Sequence, residues 1–411
     1  GPRECVTVRL ELPEGYFLKT DTTPWFAYIA IVLGIVSVFI AFFMWWFIGR
    51  DDPVVETIEY HAPDGMNCLE LAFAYKGHAT NQDVIPLLIE LARQGYLSIS
   101  CENKKGTDFS ITLIRSSYEG TKKNERLFFN GLKKIATGPV IHKSDLKDRF
   151  YKTPEAILKT INTPENKTKL FHSNSLNKGW ILWVLAVVVF GFAYFLPGYQ
   201  YSYDWLEVGF GLMSIGVFGV SIYMLCADTG QKLSLLIGAF LLLLSIGLSY
   251  VFVWIPVTYA DRFYQLACIV SYITCAILVF FSAFLTKRTP YGTEILGRIR
   301  GFKRFLETAE KERLEMLVEE NPDYFYEILP YTYVLNVSDK WVKNFKSIAC
   351  EPPSWYTNDN DSYFDIIAFQ HIMNSTIASA SNSMTSSPES ASSSGGGFSG
   401  GGSGGGGGGA W

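Results

Sequence analysis

Charged residues are scarce in this chain of 411 residues. Asp, Glu, Lys and Arg make up 18% of it, whereas soluble globular proteins carry roughly 25%. Hydrophobic residues make up 48%, and the mean hydropathy is positive, at +0.15. This combination argues against an ordinary cytosolic enzyme and predicts membrane segments. The formal net charge of −4 provides no overall attraction to nucleic acid, so any basic surface must be local.

The chain also lacks the signatures of common catalytic, metal and nucleotide sites. Its seven cysteines include no CxxC pair, which argues against a disulfide framework and favours packed thiols. Its five histidines form neither HExxH nor a pair at i and i+4, and no Walker A or GxGxxG motif precedes a helix. The GxSxG match at 397–401 lies in a glycine-rich tail and is treated as chance. We therefore predict a non-enzymatic protein with no catalytic residue, cofactor or metal site, and we identify no small-molecule substrate.

Long hydrophobic runs are present in five places, and their only charged residue is Glu207. A helix needs about 20 apolar residues to cross the hydrocarbon core of a bilayer. Tryptophans gather at the ends of the runs, as in the aromatic belt of membrane interfaces. We therefore predict an α-helical multi-pass membrane protein with about five spans. The runs occupy residues 25–48, 179–196, 205–226, 233–254 and 263–285.

The distribution of lysine and arginine predicts the orientation of these spans. Positively charged flanks stay on the cytoplasmic side of a membrane. Arg50, Lys178 and Lys287 are among the many bases that flank one side, whereas few bases lie on the other. We expect a protein of the cell membrane with its N-terminus outside and its C-terminus in the cytoplasm. Segments 50–178 and 287–373 are then cytoplasmic.

The two ends of the chain differ in composition from the rest. Residues 1–20 include alternating apolar positions such as Val6 and Val8, which is typical of a half-buried strand. A single strand does not fold alone and no initiator Met precedes it, so we expect the end of a truncated extracellular β-domain. Residues 374–411 are rich in Ser and Gly, which predicts a disordered tail closed by Trp411.

The segment 50–178 has domain size, and its order of elements resembles a winged helix. A helix over 81–94 ends at a glycine and is followed by alternating runs at 96–100 and 109–113, joined by a polar loop. A second round begins with a helix over 122–135. We predict a cytoplasmic α+β winged-helix-like domain.

A winged helix suggests DNA binding, but the charges of this one are poorly suited to it. The polar positions of 81–94 carry two acids and one base, and DNA readers need Lys and Arg. The basic surplus lies in 95–170, with fifteen bases and eight acids. An anionic membrane leaflet attracts basic side chains, with about 1 kcal/mol of binding energy for each nearby Lys or Arg. This attraction explains the basic surplus without nucleic acid. The candidate basic interaction surface consists of Lys104, Lys105, Lys122, Lys123, Arg126, Lys133 and Lys134.

The segment 287–373 combines an amphipathic helix with many aromatic residues. Apolar positions recur at helical spacing over 293–320, with acids and bases mixed on the polar face, so we expect this helix to dock on protein. The aromatic residues that follow must pack on something, either in a small core of their own or in a partner groove. The candidate docking aromatics are Trp341, Trp355, Tyr356 and Trp411.

Several motifs together resemble a known family. They are GRDDP after the first run, ELARQGYLSI, the long stretch GTEILGRIRGFKRFLETAEKERLEMLVEENPDYFYEILPYTYVLNVSDKWVKNF, PPSWY and a glycine-rich tail that ends in Trp. This combination, over residues 50–411, resembles the YciQ-type predicted membrane proteins of bacteria, whose function is unknown. The resemblance implies a signal peptide and an extracellular β-domain at the N-terminus. It supplies no catalytic residues, because the family has no established activity.

Three functional hypotheses follow. The leading one is an envelope-associated scaffold or signalling protein whose cytoplasmic module binds other proteins and membrane lipid. The first alternative is a membrane-tethered regulator that binds nucleic acid through the basic surface. The second is a small transporter or channel, although transporters normally carry ionisable groups at mid-membrane and these runs carry none there.

Overall fold

The computed structural model describes most of the chain. The predicted strand within residues 1–20 and the terminal Trp411 lie outside the described residues. The described residues are 25–101, 103, 105–176, 178–195, 205–226, 232–254, 262–348, 351–358 and 365–388.

The described residues are mostly helical and include a small sheet. The helices are α1 Trp25–Met44, α2 Cys68–Lys76, α3 Asn81–Val84, α4 Leu87–Arg93, α5 Lys123–Ile135, α6 Lys143–Leu146, α7 Lys152–Ile161, α8 Pro164–Leu170, α9 Gly179–Phe190, α10 Trp205–Cys226, α11 Lys232–Ser249, α12 Arg262–Ala283, α13 Pro290–Thr308, α14 Lys311–Glu320, α15 Tyr324–Val334, α16 Ser338–Asn344 and α17 Ile366–Thr385. The strands are β1 Leu97–Cys101, β2 Phe109–Leu113, β3 Val140–His142 and β4 Tyr356–Asn358.

The chain divides into two compact units that each combine distant segments. We call the first the apolar unit; it comprises Gly1–Thr57, Ala74–Gly77 and Pro164–Arg300. We call the second the polar unit; it comprises Ile58–Phe73, His78–Thr163 and Gly301–Trp411.

All five predicted hydrophobic runs form apolar helices in the apolar unit. The π-helical turns Trp45–Gly49 and Tyr250–Trp254 continue α1 and α11. With these turns included, the described stretches Ala27–Gly49, Leu235–Trp254 and Arg262–Ala283 are long and apolar enough to cross a membrane. Shorter apolar helices occupy Gly179–Tyr194 and Gly209–Leu225. The described part of the chain therefore contains three membrane-length helices, and five complete spans remain a prediction.

The described cysteines are packed thiols, as their scattered spacing predicts. Cys68, Cys101, Cys268 and Cys275 are all buried and free. Cys268 and Cys275 lie in the core of the apolar unit together with Leu278. Their Sγ atoms donate weak hydrogen bonds to the carbonyls of residues 193 and 186, at 3.4 Å each. Their role in the apolar unit is packing.

Arg288 directly follows Lys287 in the basic flank of the last apolar run, yet it is buried in the apolar unit with 9% of its surface exposed. Its guanidinium donates to Ala74 O at 3.0 Å and to Tyr75 O at 2.9 Å, in the last turn of α2. Its backbone N–H donates to Asp51 Oδ1 at 2.7 Å, and its guanidinium lies 4.9 Å from the centroid of the Phe171 ring. Burial lowers the pKa of Arg288, and the Asp51 carboxylate opposes that shift. Arg288 therefore acts as a C-terminal cap for α2.

Replacing Arg288 by methionine is expected to loosen the last turn of α2. The thioether keeps most of the apolar contact but removes both donors, and leaving buried carbonyls unsatisfied costs about 1–3 kcal/mol each in general. We expect a loss of about 2 kcal/mol, measured as faster hydrogen exchange of the α2 amides. Lys287→Met is the control, because Lys287 forms only a partly exposed ion pair with Asp52 at 3.5 Å. Equal effects of the two substitutions would contradict the capping role.

The polar unit is built around a four-stranded sheet with the order β3-β2-β1-β4. β1 and β2 are antiparallel, with Ile99 opposite Ile111. β4 joins β1 in parallel, with Tyr356 beside Ile99. The predicted order of helix, glycine, strand, loop and strand is present. The winged-helix fold is not confirmed, because β3 follows α5 and β4 comes from the distant C-terminal segment.

The predicted helix over 81–94 divides into α3 and α4 around Pro86. Proline has no amide hydrogen and cannot continue the helical hydrogen-bond ladder. Helix α4 is almost wholly buried, whereas Asn81 and Gln82 at the start of α3 are exposed. The two acids of the segment, Asp83 and Glu90, are only 3% and 2% exposed. Neither acid therefore lies on an exposed recognition face.

The C-terminal part of the polar unit extends further than its composition predicts. The predicted tail over 374–411 is wrong for its first part, since α17 continues to Thr385. Small side chains at helical spacing let α17 lie close to the β1–β2 loop. Thr376 Oγ1 donates to Gly106 O at 3.1 Å, and Ser379 Oγ donates to Thr107 O at 2.8 Å. The serine-rich composition here reflects close packing.

The predicted amphipathic helix over 293–320 is present as two helices, α13 and α14. They are separated by residues 309–310, and α14 ends at Glu320, with Asn321 as its C-cap. In the polar unit, Phe302 and Leu306 of α13 are fully buried. The ring of Phe302 packs edge-on against Tyr331 with centroids 5.9 Å apart. This part of the helix docks on protein, as predicted.

Candidate functional site

Four of the seven residues of the candidate basic surface lie on helix α5. Lys123, Arg126, Lys133 and Lys134 are exposed. They fall within about 100° of arc, because successive residues of an α-helix are about 100° apart. The opposite face is buried and contains the only acid of the helix, Glu125. We call these four residues the basic stripe.

The other three residues of the candidate basic surface are not part of the basic stripe. Lys122 forms an ion pair with Glu70, with Nζ 2.6 Å from Oε2. Lys105 is exposed in the loop between β1 and β2. Lys104 lies outside the described residues.

The candidate docking aromatics within the described residues are core residues. Trp341 is fully buried, with its ring centroid 4.6 Å from that of Phe345. Trp355 and Tyr356 are also buried, and both pack on Phe369 of α17 with centroids 6.3 Å and 5.0 Å away. This burial does not support a docking role, because no aromatic face is free for a partner.

A polar cavity of about 420 Å³ lies within the polar unit. We call it the polar cavity. Helices α4, α5 and α15 line it together with the segments 61–67 and 118–122. Its acidic and basic lining residues are His61, Glu90, Arg93, Lys122, Glu125 and Glu327.

Glu125 is the best-connected carboxylate of the polar cavity. It accepts hydrogen bonds from Asn67 Nδ2 at 2.7 Å, Gln94 Nε2 at 3.1 Å and Tyr118 OH at 2.8 Å. Burial raises the pKa of Tyr118, and its hydrogen bond to Glu125 raises that pKa further. Asn67 Nδ2 also lies 3.0 Å from Asn124 Oδ1. This network of neutral donors stabilises the Glu125 carboxylate.

Glu90 is buried to a similar degree but has fewer partners. Its Oε1 accepts from Arg93 Nη2 at 3.3 Å. Its Oε2 is buried and has no hydrogen-bond partner among the described residues. Burial raises the pKa of the Glu90 carboxyl and the Glu125 charge adds to this shift, whereas Arg93 and the backbone N–H of Cys68 oppose it. Glu90 therefore carries a strong acceptor whose hydrogen-bonding capacity the surrounding residues leave unused.

Other polar groups at the polar cavity also have local partners. His61 Nδ1 lies 3.5 Å from Glu327 Oε1. Tyr331 OH donates to Met66 O at 2.9 Å. Within the described ranges, no group of three or more His, Cys, Asp or Glu residues is arranged to hold a metal ion. The polar cavity thus presents carboxylates and donor groups that are bonded mainly to one another.

Sequence reasoning did not identify the polar cavity, although one signal was present. Glu90 lies within the run LLIELAR, with leucine or isoleucine on both sides. Glutamate is almost never fully buried unless it is paired, so an acid within such a run marks a position of interest. The second buried carboxylate of the cavity, Glu125, gives no comparable signal, because residues 122–135 have the pattern of an ordinary amphipathic helix.

Comparison with known proteins gives one match. Residues 226–345 match a family model described as "Predicted membrane protein (DUF2207) C-terminal domain". This match confirms the resemblance to the YciQ-type membrane proteins of unknown function. No curated protein and no solved structure matches the chain.

Proposed function

We propose that this chain is a non-enzymatic, multi-pass protein of the cell membrane whose polar unit is a cytoplasmic interaction module. The match of residues 226–345 to the C-terminal domain of DUF2207 predicted membrane proteins supports the membrane part of this proposal. The excess of Lys and Arg on one side of the apolar runs supports an outer N-terminus and a cytoplasmic C-terminus. In this proposal the protein serves as an envelope scaffold or signalling protein.

The observation that carries the proposal is the basic stripe of α5. Phe128, Phe129 and Leu132 on the opposite face are fully buried, so the four bases are presented by a firmly packed helix. Lys133 Nζ also donates to Ser116 O at 2.8 Å, which limits the freedom of that side chain. A membrane protein meets anionic headgroups at close range, and each base near such a surface contributes about 1 kcal/mol. We therefore assign the stripe to contact with anionic lipid.

Two results support this assignment over nucleic-acid binding. The helix that would read DNA, α4, is buried. Lys122, which the nucleic-acid alternative needs as a free base, is paired with Glu70. Salt-dependent binding of a DNA duplex by the full-length protein would support that alternative, with log affinity falling linearly against log salt. Uptake of solute into liposomes that contain the protein would instead support the transporter alternative.

Anionic lipid is expected to shield the lysines of the stripe from an amine-selective reagent. The full-length protein would be placed in nanodiscs of neutral lipid, with or without anionic lipid, and labelling would be followed by mass spectrometry. We expect slower labelling of Lys123, Lys133 and Lys134 with anionic lipid, and no change at Lys343, an exposed base on α16. High salt should abolish the difference, because exposed charges are screened.

A charge-reversal variant provides the matched control for this experiment. The double substitution Lys123→Glu with Arg126→Glu removes about 2 kcal/mol of attraction and adds repulsion, so we expect shielding to be lost at Lys133 and Lys134. Lys343→Glu with Lys346→Glu changes the net charge equally at two other exposed bases and should leave shielding intact. Equal labelling of the stripe in both kinds of nanodisc would refute the lipid contact.

A further inference from the structure

We propose that the polar cavity binds a small organic ligand that carries a protonated amine. Its volume of about 420 Å³ lies within the roughly 300–1,000 Å³ range that is usual for ligand pockets. It is formed entirely by residues of the polar unit. This inference is independent of the lipid contact proposed for α5.

The charges around the polar cavity favour a cation. Lys122 is paired with Glu70, which lies outside the lining, at 2.6 Å. Arg93 reaches only one oxygen of Glu90. Glu125 has three neutral donors among its hydrogen-bond partners. The carboxylates at the cavity therefore outnumber the cations that could neutralise them.

The unsatisfied oxygen of Glu90 indicates where the amine binds. Glu90 is 2% exposed and lines the polar cavity, and its Oε2 has no partner within the described part of the chain. A buried acceptor without a partner costs about 1–3 kcal/mol, and more when it is charged. An ammonium group supplies three donors and a full positive charge, so it satisfies this oxygen by a charge-assisted hydrogen bond.

An organic amine fits the lining better than a metal ion does. The described residues offer no group of three His, Cys, Asp or Glu side chains placed to coordinate a metal. Asn67, Gln94 and Tyr118 direct their donors to Glu125, so this carboxylate is fixed as a second negative group on the wall. A short carbon chain with an amine at its end matches one buried carboxylate and a polar wall.

Calorimetric titration of the full-length protein in neutral-lipid nanodiscs tests this proposal. The probe is 1,4-diaminobutane, and the control compound is 1,4-butanediol, which has the same chain length and no charge. We expect saturable binding of the diamine and no measurable binding of the diol. Neutral lipid keeps the diamine from binding to the bilayer itself.

Three variants locate the binding site. Glu90→Gln keeps the shape and the acceptor for Arg93 but removes the negative charge, and we expect binding at least about tenfold weaker. Glu155→Gln, on the exposed side of α7, should bind like the wild type. Thr121→Trp places a bulky side chain at an exposed position of the lining without changing charge, and should also weaken binding.

The outcomes separate this inference from the proposed function. Absence of diamine binding, or wild-type binding by both Glu90→Gln and Thr121→Trp, would overturn it. Should Glu90→Gln fail to fold, weakened binding by Thr121→Trp supports the proposal and unchanged binding overturns it. Labelling of Lys123 and Lys133 in anionic nanodiscs is expected to be the same in Glu90→Gln as in the wild type, so either proposal can fail alone.

Discussion

Substitution of Gly106 by alanine is expected to release α17 from the β1–β2 loop. Gly106 has a φ of +66°, and an added Cβ would lie 2.3 Å from Ile372 O and 3.0 Å from Ile372 Cα. These are backbone atoms of α17, so no side-chain rotation can relieve the clash. The left-handed conformation costs an alanine about 1–2 kcal/mol, and overpacking adds about 1–3 kcal/mol. We expect a loss of about 3 kcal/mol or more.

Gly95 provides a matched control for this substitution. It has a φ of +75°, but nothing lies within 4 Å of its added Cβ. Gly95→Ala should therefore cost only the conformational part, about 1 kcal/mol. Hydrogen exchange of the α17 amides is the measurement, because it reports local opening in a protein with more than one unit. Similar exchange in both variants would show that α17 does not pack against Gly106.

Substitution of Trp341 by alanine is expected to destabilise the aromatic core of the polar unit. The indole lies nearly parallel to Phe325, with centroids 6.3 Å apart, and its Nε1 donates to Phe325 O at 3.4 Å. Removal of a buried tryptophan side chain typically costs about 3–5 kcal/mol, because a cavity remains. We expect α15 and α16 to exchange their amides faster and to become sensitive to protease.

Met316→Ala is the control for the Trp341 substitution. Met316 belongs to α14 and is 49% exposed. Its truncation should change stability by less than about 0.5 kcal/mol, as is usual for surface positions. If Trp341 were instead a docking residue, its substitution would weaken partner binding and leave stability unchanged. The experiment therefore distinguishes a core residue from a docking residue.

The periodicity of apolar residues predicted where several helices and strands lie, because periodicity depends only on residues that are close together in the chain. The alternating runs at 96–100 and 109–113 match β1 and β2 closely. The helix predicted over 122–135 matches α5 within one residue at its start. The short outer strand β4 was not predicted, because a three-residue strand has no periodicity to detect. Its partner β1 is also distant in the chain.

The candidate site was harder to predict, because it depends on which polar side chains are buried. Asn67 and Glu125 are 58 residues apart in the chain and 2.7 Å apart in space. Nothing near either residue indicates that contact. The exposure of the four bases on α5 follows from its local pattern, because an amphipathic helix places its charged residues away from the core. Their role as an interaction surface stays a prediction.

The sequence by itself determined the chemical division of this protein. Nearly uncharged runs of about 20 residues must leave water, and the scarcity of charge places them in a membrane protein. The C-terminal motifs determined the family resemblance that the match over 226–345 confirms. Hydropathy and sequence motifs depend only on residues that are close together in the chain. They do not depend on how distant segments pack.

The tertiary structure alone decided which polar groups left the solvent. Arg288 is a basic flank in the sequence and a buried cap of α2 in the fold. In the sequence, Glu90 belongs to the polar positions of the predicted helix 81–94. In the structure it is buried and lines the polar cavity. Serine-rich residues after 374 read as a tail, yet they pack as α17. Burial depends on partners supplied by distant segments, so it is settled only when those segments come together.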